Sequence, residues 1–498
     1  MFSSSFLALA LTLPGFHPAH SWDWLALPDN PNLVYVGRWD HSAPKSPWCE
    51  WQGSSVSMNF EGTGVGIGID AGTQSNWYRV IIDHDILNSK KMEVSPGGMK
   101  KIILAHSLSS GQHHVRVVKE TYFGSETTFF GFAGVGGAGI SSPPPPPTRR
   151  IEFYGDSNLA GYSLEHEENK GQNELQGCEF TYAGITARRF NAEYHNISIS
   201  GETISGINSK YDRMRYGVSN PKWDFNRYTP DVVVVNLGAN DIWKSVSRIK
   251  KDYQNFLDDL RQVHPNSHIM LFNGFGWDYS ETANYIEDVI VSRNDPNMSW
   301  AIFPWVFEQW HGCETDHAGM ADYLVGHLET VMGWNSQASD ITSGYGRNGD
   351  VANGSFETSA PFGGFGWRYA AHNPLAKRIR SPQNAKHGEY LVLLENGGTI
   401  QQPNPVSNGD LVDVKLWLRG ESSADTASVT IDFRDQKMWT SPLQTQTWQV
   451  QLSPTWKKHT FSTNAPTNTP KPVFHTRLTI RAGPQSRAGV DAVQMTVQ

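Results

Sequence analysis

Three regions of the chain differ in how their hydrophobic residues are spaced. Between about residues 30 and 140, apolar and polar positions alternate between glycine-rich turns. A period of two is typical of strands that bury one face. Residues 22–142 are therefore predicted to form a β-sandwich, whose alternating positions include Val56, Met58, Phe60, Val65, Ile67, Ile69, Val115 and Val117.

The second region, predicted at residues 151–335, combines apolar runs with helical spacing. The stretch from Val232 to Leu237 is almost entirely apolar, and apolar residues three or four apart recur from Tyr253 to Val263. Strands that are apolar on both faces, separated by amphipathic helices, indicate a parallel sheet covered on two sides. This pattern predicts an α/β domain.

Alternation returns in the last region, so residues 350–498 are predicted to form a second β-sandwich. Two segments without such patterning separate the three regions. The prolines of residues 143–150 lack backbone donors and favour polyproline II, which predicts a stiff spacer. The polar residues 336–349 are predicted to be a linker.

Composition limits the compartment and the partners. The formal net charge is -8 with both signs interspersed, so the basic face that nucleic acids require is not expected. Residues 1–21 carry no charged side chain and contain an apolar stretch from Phe6 to Leu13, which predicts a signal peptide and secretion. No later run is long enough to span a bilayer, and we expect a monomer without a membrane partner.

The cysteine count excludes a disulfide scaffold. The chain has three cysteines, Cys49, Cys178 and Cys313. An oxidising compartment would permit one bridge and leave one thiol. We expect Cys178 to pair with Cys313.

Candidate chemistry follows three of the apolar runs in the α/β region. Ser157, Gly201 and Asn240 each come shortly after such a run. Reacting groups of an open parallel sheet gather at the carboxyl ends of its strands. A serine nucleophile needs a base that takes its proton and donors that stabilise the oxyanion, and these loops could supply both.

The motifs resemble those of the SGNH hydrolases, and more closely carbohydrate esterase family 2, over about residues 30–333. The matching blocks are Gly155-Asp156-Ser157, the segment from Asn196 to Gly201 and the segment from Asn236 to Asp241. The resemblance implies an N-terminal jelly roll joined to an SGNH hydrolase domain. It also implies that Ser157 attacks the ester carbonyl. The oxyanion would be held by the backbone N–H groups of Ser157 and Gly201 and by the side-chain amide of Asn240.

The fourth block of the family is less regular here. Cys313-Glu314-Thr315-Asp316-His317 leads straight into a helical pattern. We predict that His317 is the base, with His311 as the alternative. Glu314 is the preferred orienting carboxylate, and Asp316 or a backbone carbonyl remains possible.

Aromatic residues near these loops suggest a saccharide cleft, because aromatic faces stack well on sugar rings. The candidates are Trp243, Trp277 and Trp310. The Asp83-His84-Asp85 triplet follows a strand-like stretch and is interpreted as a hairpin turn rather than a metal site. No metal and no other cofactor is predicted.

The last region resembles the galactose-binding-like jelly roll of carbohydrate-binding modules. The resemblance depends on the segment from Asn353 to Glu357, on Gly366-Trp367 and on the closing segment from Val490 to Val493. Its candidate platform residues are Trp367, Tyr369 and Trp439. A β-domain that binds no ligand is the alternative.

The resemblance to carbohydrate esterase family 2 implies that the substrate is an O-acetyl group on a plant cell-wall polysaccharide such as acetyl xylan or acetyl glucomannan. The leading hypothesis is therefore a secreted serine esterase that removes this group. One alternative is a GDSL lipase or thioesterase that acts on longer acyl chains. The other is a non-catalytic carbohydrate-binding protein. For a serine esterase with a histidine base, we expect activity to fall below a pH of about 6 to 7.

Overall fold

The structure is a computed structural model that describes residues 22–122, 126–135, 138–143, 145–274, 285–303, 311–341, 343, 351–358, 366–370, 373–435 and 441–498. The predicted signal peptide lies outside these residues, as do Trp277, Trp310 and Trp439. Along the described chain, a β-rich region is followed by a parallel α/β region and then by a second β-rich region.

The N-terminal region consists of two antiparallel sheets around one core. Its strands are β1 (Asp23–Ala26), β2 (Val34–Val36), β3 (Trp48–Cys49), β4 (Ser55–Glu61), β5 (Gly64–Asp70), β6 (Asn76–Ile82), β7 (Lys90–Val94), β8 (Lys100–Ala105), β9 (Gln112–Lys119), β10 (Thr127–Val135) and β11 (Gly139–Ser141). One sheet has the order β1-β10-β5-β8 and the other β11-β4-β9-β6-β7. Val56 and Phe60 of β4 and Ile67 of β5 are buried in the shared core. The jelly-roll type remains a prediction.

The predicted turn at Asp83-His84-Asp85 connects β6 to β7. Asp83 and His84 have φ values of 53° and 62°, in the left-handed region that tight hairpin turns use. The backbone N–H of Asp85 donates to the carbonyl of Ile82 at 3.0 Å, which closes the turn. The turn interpretation is confirmed.

The central region is built on a five-stranded parallel sheet. The strands of the whole central region, including a separate two-stranded hairpin, are β12 (Arg149–Gly155), β13 (Ala192–Ser198), β14 (Arg213–Arg215), β15 (Val218–Lys222), β16 (Val232–Asn236), β17 (His268–Gly274) and β18 (Met298–Phe303). Its helices are α1 (Ser157–Ala160), α2 (Tyr182–Arg189), α3 (Ile204–Asn208), α4 (Val246–Val263), α5 (Tyr285–Arg293) and α6 (Glu314–Met332). The sheet has the order β13-β12-β16-β17-β18, and β14 pairs with β15 in a separate hairpin.

Burial of β16 explains why its sequence lacks alternation. Val232 and Val234 pack into the core beneath α2 and α6, whereas Val233 and Val235 pack into the core beneath α4 and α5. Both faces of the strand are therefore covered by helices, as the apolar run predicts. Among the described helices, none combines the length and the apolar character needed to cross a bilayer.

The C-terminal region also contains two antiparallel sheets. Its strands are β19 (Ala376–Arg380), β20 (Tyr390–Glu395), β21 (Thr399–Pro405), β22 (Leu411–Arg419), β23 (Thr426–Arg434), β24 (Gln444–Gln451), β25 (Lys457–Asn464), β26 (His475–Ala482) and β27 (Arg487–Val497). The sheets have the orders β19-β20-β27-β22-β25 and β21-β26-β23-β24. Val414 of one sheet and Ile431 of the other share one core. The galactose-binding-like type stays a prediction.

Buried polar contacts join the N-terminal and central regions. Arg38 forms an ion pair with Glu152 of β12 at 3.0 Å, and both side chains are fully buried. The same guanidinium donates to the carbonyl of Tyr211 at 2.6 Å and to the hydroxyl of Tyr154 at 3.1 Å. Because a buried charge needs such partners, the two regions are fixed relative to each other.

The predicted disulfide is wrong. Cys178 and Cys313 are both unpaired and buried, and so is Cys49. The Sγ of Cys178 donates to the backbone carbonyl of Lys119 at 3.3 Å, and Cys313 is the N-cap of α6. The thiols therefore serve as small packed side chains.

Candidate active site

Three of the predicted site residues lie at the carboxyl edge of the parallel sheet. Ser157 is the first residue of α1, directly beyond β12. Gly201 follows β13, and Asn240 lies in a short 3₁₀ turn that follows β16. Because β13, β12 and β16 are adjacent and parallel, their loops open onto the same place.

The imidazole that is hydrogen-bonded to Ser157 belongs to His311. Its Nε2 lies 2.8 Å from Oγ of Ser157, and its Nδ1 lies 3.0 Å from Oδ1 of Asn169. An amide oxygen only accepts, so Nδ1 carries the proton and Nε2 presents its lone pair to the serine hydroxyl. Burial lowers the pKa of His311 to about 4, so the ring is neutral at pH 7.

The sequence predicts a contact between His317 and Ser157, but in the structure the contact with Ser157 is made by His311. His317 lies within α6 and is 1% exposed. Its Nδ1 accepts the backbone N–H of Tyr182 at 3.2 Å, and the two rings stack with centroids 5.9 Å apart. Tyr182 is the first residue of α2, whose opening N–H groups lack partners within the helix. His317 therefore caps a helix.

The predicted carboxylates also have other surroundings. Glu314 is 4% exposed, and burial, with Glu167 and Asp316 nearby, raises its pKa to about 8. It is therefore neutral at pH 7. Asp316 accepts the backbone N–H of Cys313 at 3.0 Å and forms an ion pair with Arg368. In a serine triad, a carboxylate accepts the hydrogen bond from Nδ1 of the imidazole. Here the side-chain amide of Asn169 accepts the bond from Nδ1 of His311.

Asn240 lies against the serine loop, because its side-chain nitrogen is 3.5 Å from Oδ2 of Asp156. Gly201 has φ +82°, a conformation that favours glycine. The backbone N–H groups of Ser157 and Gly201 donate to no other backbone carbonyl in the described part of the chain. The side-chain nitrogen of Asn240 donates to the carbonyl of Glu202 at 2.9 Å, which fixes the orientation of the amide.

The loop that carries Asn169 is held by the N-terminal region. Glu165, four residues earlier, is ion-paired with Arg79 and lies 3.1 Å from the ammonium of Lys91. Lys91 also donates to the backbone carbonyl of Glu174 at 2.7 Å. These contacts fix both ends of the loop, so the Asn169 amide is positioned from outside the central domain.

Comparison with known proteins shows the family to which the chain belongs. Residues 35–144 match the family model described as Carbohydrate esterase 2 N-terminal, and residues 153–305 match the GDSL-like Lipase/Acylhydrolase family. A solved active site mutant of a family two carbohydrate esterase from Clostridium thermocellum is 30% identical, with a TM-score of 0.56. The alignment covers 61% of this chain and 100% of that one. The chain belongs to carbohydrate esterase family 2.

Two curated relatives extend the comparison of this family member. Cellulase/esterase CelE of Acetivibrio thermocellus is 32% identical over 335 residues, which are 61% of this chain but 40% of CelE. The chain therefore spans less than half the length of CelE. Acetylxylan esterase / glucomannan deacetylase of Cellvibrio japonicus is 23% identical over 328 residues, 61% of this chain and 90% of that protein. The matched residues carry the domains of a carboxylic ester hydrolase, and neither family model extends past residue 305.

The aromatic residues predicted to contact sugar differ in their exposure to solvent. Trp243 is 75% exposed, and its indole N–H donates to the carbonyl of Asn240 at 2.9 Å, so it stands at the rim of the site. Trp367 is 1% exposed in the C-terminal core beside Phe356, and the prediction that it is a binding platform is wrong. Tyr369 is partly buried.

The sequence predicts His317 beside Ser157, whereas the structure places His311 there, and no prediction singled out Asn169. A usable signal was present, because His317, Ala321, Leu324 and Leu328 recur at helical spacing and so share one face of α6. That face is buried in the central core. A residue in this pattern is expected in the core, whereas His311 precedes the helix. No motif marks Asn169, because its contact depends on how the loop after α1 is folded.

Proposed function

We propose that this chain is a secreted serine esterase that removes O-acetyl groups from a plant cell-wall polysaccharide through an acyl-enzyme. The observation that supports the proposal most directly is the 2.8 Å contact between Oγ of Ser157 and Nε2 of a neutral His311. This contact supplies a nucleophile and its base at the edge of the sheet.

In the first step, Oγ of Ser157 attacks the acetyl carbonyl while its proton moves to Nε2 of His311. The carbonyl oxygen becomes an oxyanion, for which the backbone N–H groups of Ser157 and Gly201 and the Asn240 amide are the donors. When the intermediate collapses, the imidazolium gives its proton to the sugar oxygen. The deacetylated hydroxyl leaves, and the acetyl group remains on Ser157.

In the second step, water attacks the acetyl-serine. His311 takes a proton from the water, and the second tetrahedral intermediate uses the same donors. Its collapse returns the proton to Oγ and releases acetate. Throughout the cycle, the amide oxygen of Asn169 accepts from Nδ1 of His311 and so keeps Nε2 directed at the reacting atoms.

The substrate class rests on Trp243 and on the relatives. An indole with 75% of its surface exposed, next to the Asn240 amide, offers a stacking face to a sugar ring. One relative is named for activity on acetylxylan and glucomannan. We therefore propose acetyl xylan or acetyl glucomannan as the substrate, with secretion as the route by which the enzyme reaches it.

The C-terminal region is proposed to bind the polysaccharide. With Trp367 in the core, Tyr369 is the remaining described candidate for a contact with sugar. Retention on insoluble xylan or glucomannan should fall in a Tyr369→Ala variant, while hydrolysis of a small acetyl ester should not change. Equal retention of both proteins would remove this role.

The decisive experiment is acetate release from acetylated xylan and acetylated glucomannan by the purified protein. Ser157→Ala is the matched control, since it removes one oxygen and should keep the melting temperature. We expect acetate from the wild-type protein and none from the variant. Polysaccharide binding without hydrolysis of any acetyl ester would instead favour a non-catalytic protein. Faster cleavage of octanoyl than of acetyl esters would favour a lipase.

A further inference from the structure

A buried ion pair links the C-terminal region to the start of α6. The side chains of Arg368 and Asp316 are 2% and 1% exposed, and Nη2 of the guanidinium donates to Oδ2 of the carboxylate. The same oxygen accepts the backbone N–H of Cys313 at 3.0 Å. Cys313 is the N-cap of α6 and lies two residues after His311.

The guanidinium extends from a rigid part of the C-terminal fold. The backbone N–H of Arg368 donates to the carbonyl of Gln401 on β21 at 2.9 Å, and the N–H of Gln401 returns a bond at 3.2 Å. The preceding residue, Trp367, is 1% exposed in the core of the region. Arg368 therefore cannot shift without moving the C-terminal core.

We propose that Arg368 is a positioning residue of the esterase site. It holds the Asp316 carboxylate, and through it the Cys313 backbone, so that the segment carrying His311 stays in register with Ser157. The inference rests on the proposed role of His311 as the base. The C-terminal region is then part of the catalytic unit, in addition to any contact that it makes with polysaccharide.

The first test compares two arginine variants of the full chain. Arg368→Met leaves Asp316 buried without its partner. We expect kcat for 4-nitrophenyl acetate to fall roughly 10- to 100-fold, the cost of a misplacement of about 1 Å, with KM little changed. The matched control is Arg378→Met, because Arg378 donates to the carbonyls of Phe356 and Glu357 at 2.6 and 2.7 Å within the C-terminal region. Its kcat should stay at the wild-type value.

A pH series separates positioning from a general loss of structure. Among the residues that the structure describes, the titratable groups that interact with Asp316 are Arg368, Cys313, Glu314 and His317. Without Arg368, the buried carboxylate of Asp316 would lack its compensating cation whenever it is ionised. The ratio of the Arg368→Met kcat to the wild-type kcat should therefore rise as the pH is lowered from about 8 to about 5. Adding Asp316→Asn should remove this trend.

The outcomes are distinct. A wild-type kcat in Arg368→Met overturns the inference. So does a variant that combines Arg368→Met with Asp316→Asn and whose fold-loss in kcat equals the product of the two single fold-losses. If Arg368→Met does not fold, Asp316→Asn alone decides the matter, because it keeps an acceptor for Cys313 but loses the ion pair. Its kcat should fall, and an unchanged kcat overturns the inference. A wild-type protein that hydrolyses no acetyl ester refutes the proposed function instead.

Discussion

The side-chain amide of Asn169 holds the Nδ1 atom of His311 at 3.0 Å, in the position that a carboxylate occupies in a serine triad. An amide fixes the tautomer and the orientation of the ring, but it brings no negative charge that would stabilise the imidazolium. Burial lowers the pKa of His311 to about 4. The base that we propose, His311, is therefore oriented but weak.

Substitutions of Asn169 should distinguish its effect on the orientation of the His311 ring from the effect of a charge beside that ring. Asn169→Ala should lower kcat by roughly 10- to 100-fold, because the ring loses its fixed direction. Asn169→Asp should keep the orientation and raise the pKa of His311, since a nearby carboxylate favours the imidazolium. The acid limb of kcat/KM, measured from about pH 3 to 8, should then move to higher pH in the aspartate variant. An acid limb at the wild-type position would contradict the assigned contact.

The two histidines should respond differently to substitution. His311→Ala should reduce kcat by about 10²- to 10⁴-fold at an unchanged melting temperature, because the base is lost. His317→Ala should leave the buried N–H of Tyr182 without its acceptor and cost about 1–3 kcal/mol of unfolding free energy. Its folded fraction should retain most of the activity. Calorimetry and acetate release on both variants check this contrast, and the reverse pattern would restore His317 as the base.

The pH profile of the wild-type enzyme follows from the burial of His311. The reaction needs a neutral imidazole, so kcat/KM should rise with pH through a value near 4 and stay flat above it. This limb lies below the range of about 6 to 7 that an unperturbed histidine predicts. Initial rates with 4-nitrophenyl acetate in buffers of constant ionic strength give the profile. A midpoint above about pH 6 would mean that the ring is more hydrated than its surroundings indicate.

If Asn240 is an oxyanion donor, as we propose, its substitution should lower kcat and leave KM almost unchanged. Asn240→Ala should reduce kcat by about 10²- to 10³-fold with little change in KM, because the amide contributes mainly to the transition state. Asn240→Asp has nearly the same volume but presents a negative charge to the oxyanion, and its loss should be at least as large. Steady-state kinetics on a small acetyl ester test both variants. An increase in KM alone would assign Asn240 to ground-state binding.

Trp243 should affect polymeric substrates selectively. Trp243→Ala removes an exposed stacking face, so KM for acetylated xylan or glucomannan should rise several-fold, at a cost of about 1 kcal/mol. Kinetics with 4-nitrophenyl acetate should not change, because that ester is too small to reach past the serine loop. Trp243→Phe is the matched control and should recover part of the affinity. Equal losses on both substrates would argue for a structural role.

Local patterns were sufficient for the framework of the site. The apolar run around Val234 and the block at Ser157 predict a parallel sheet with Ser157 at its carboxyl edge, and the structure has this arrangement. Gly201 and Asn240 follow their strands as predicted. These features depend on periodicity and on residues close in sequence, which a single chain records directly.

The remaining errors concern contacts between distant segments. Asn169 meets His311 across 142 positions, and Trp367 is buried because two sheets close over it. Neither relationship produces a periodic pattern of hydrophobic residues in the sequence. The preference for His317 depends on its two acidic neighbours in sequence, yet α6 turns it toward the core. Adjacency along the chain is thus a poor guide once a helix has begun.

The fully buried pair of Arg38 and Glu152 affects how this enzyme could be dissected or recombined. A fragment that starts at β12 would retain Glu152 in the first strand of its sheet and lose the cation that compensates it. Gene fusions that replace the N-terminal region would therefore have to supply an equivalent arginine or a neutral residue at position 152. The first two regions are expected to be inherited, expressed and engineered as one piece.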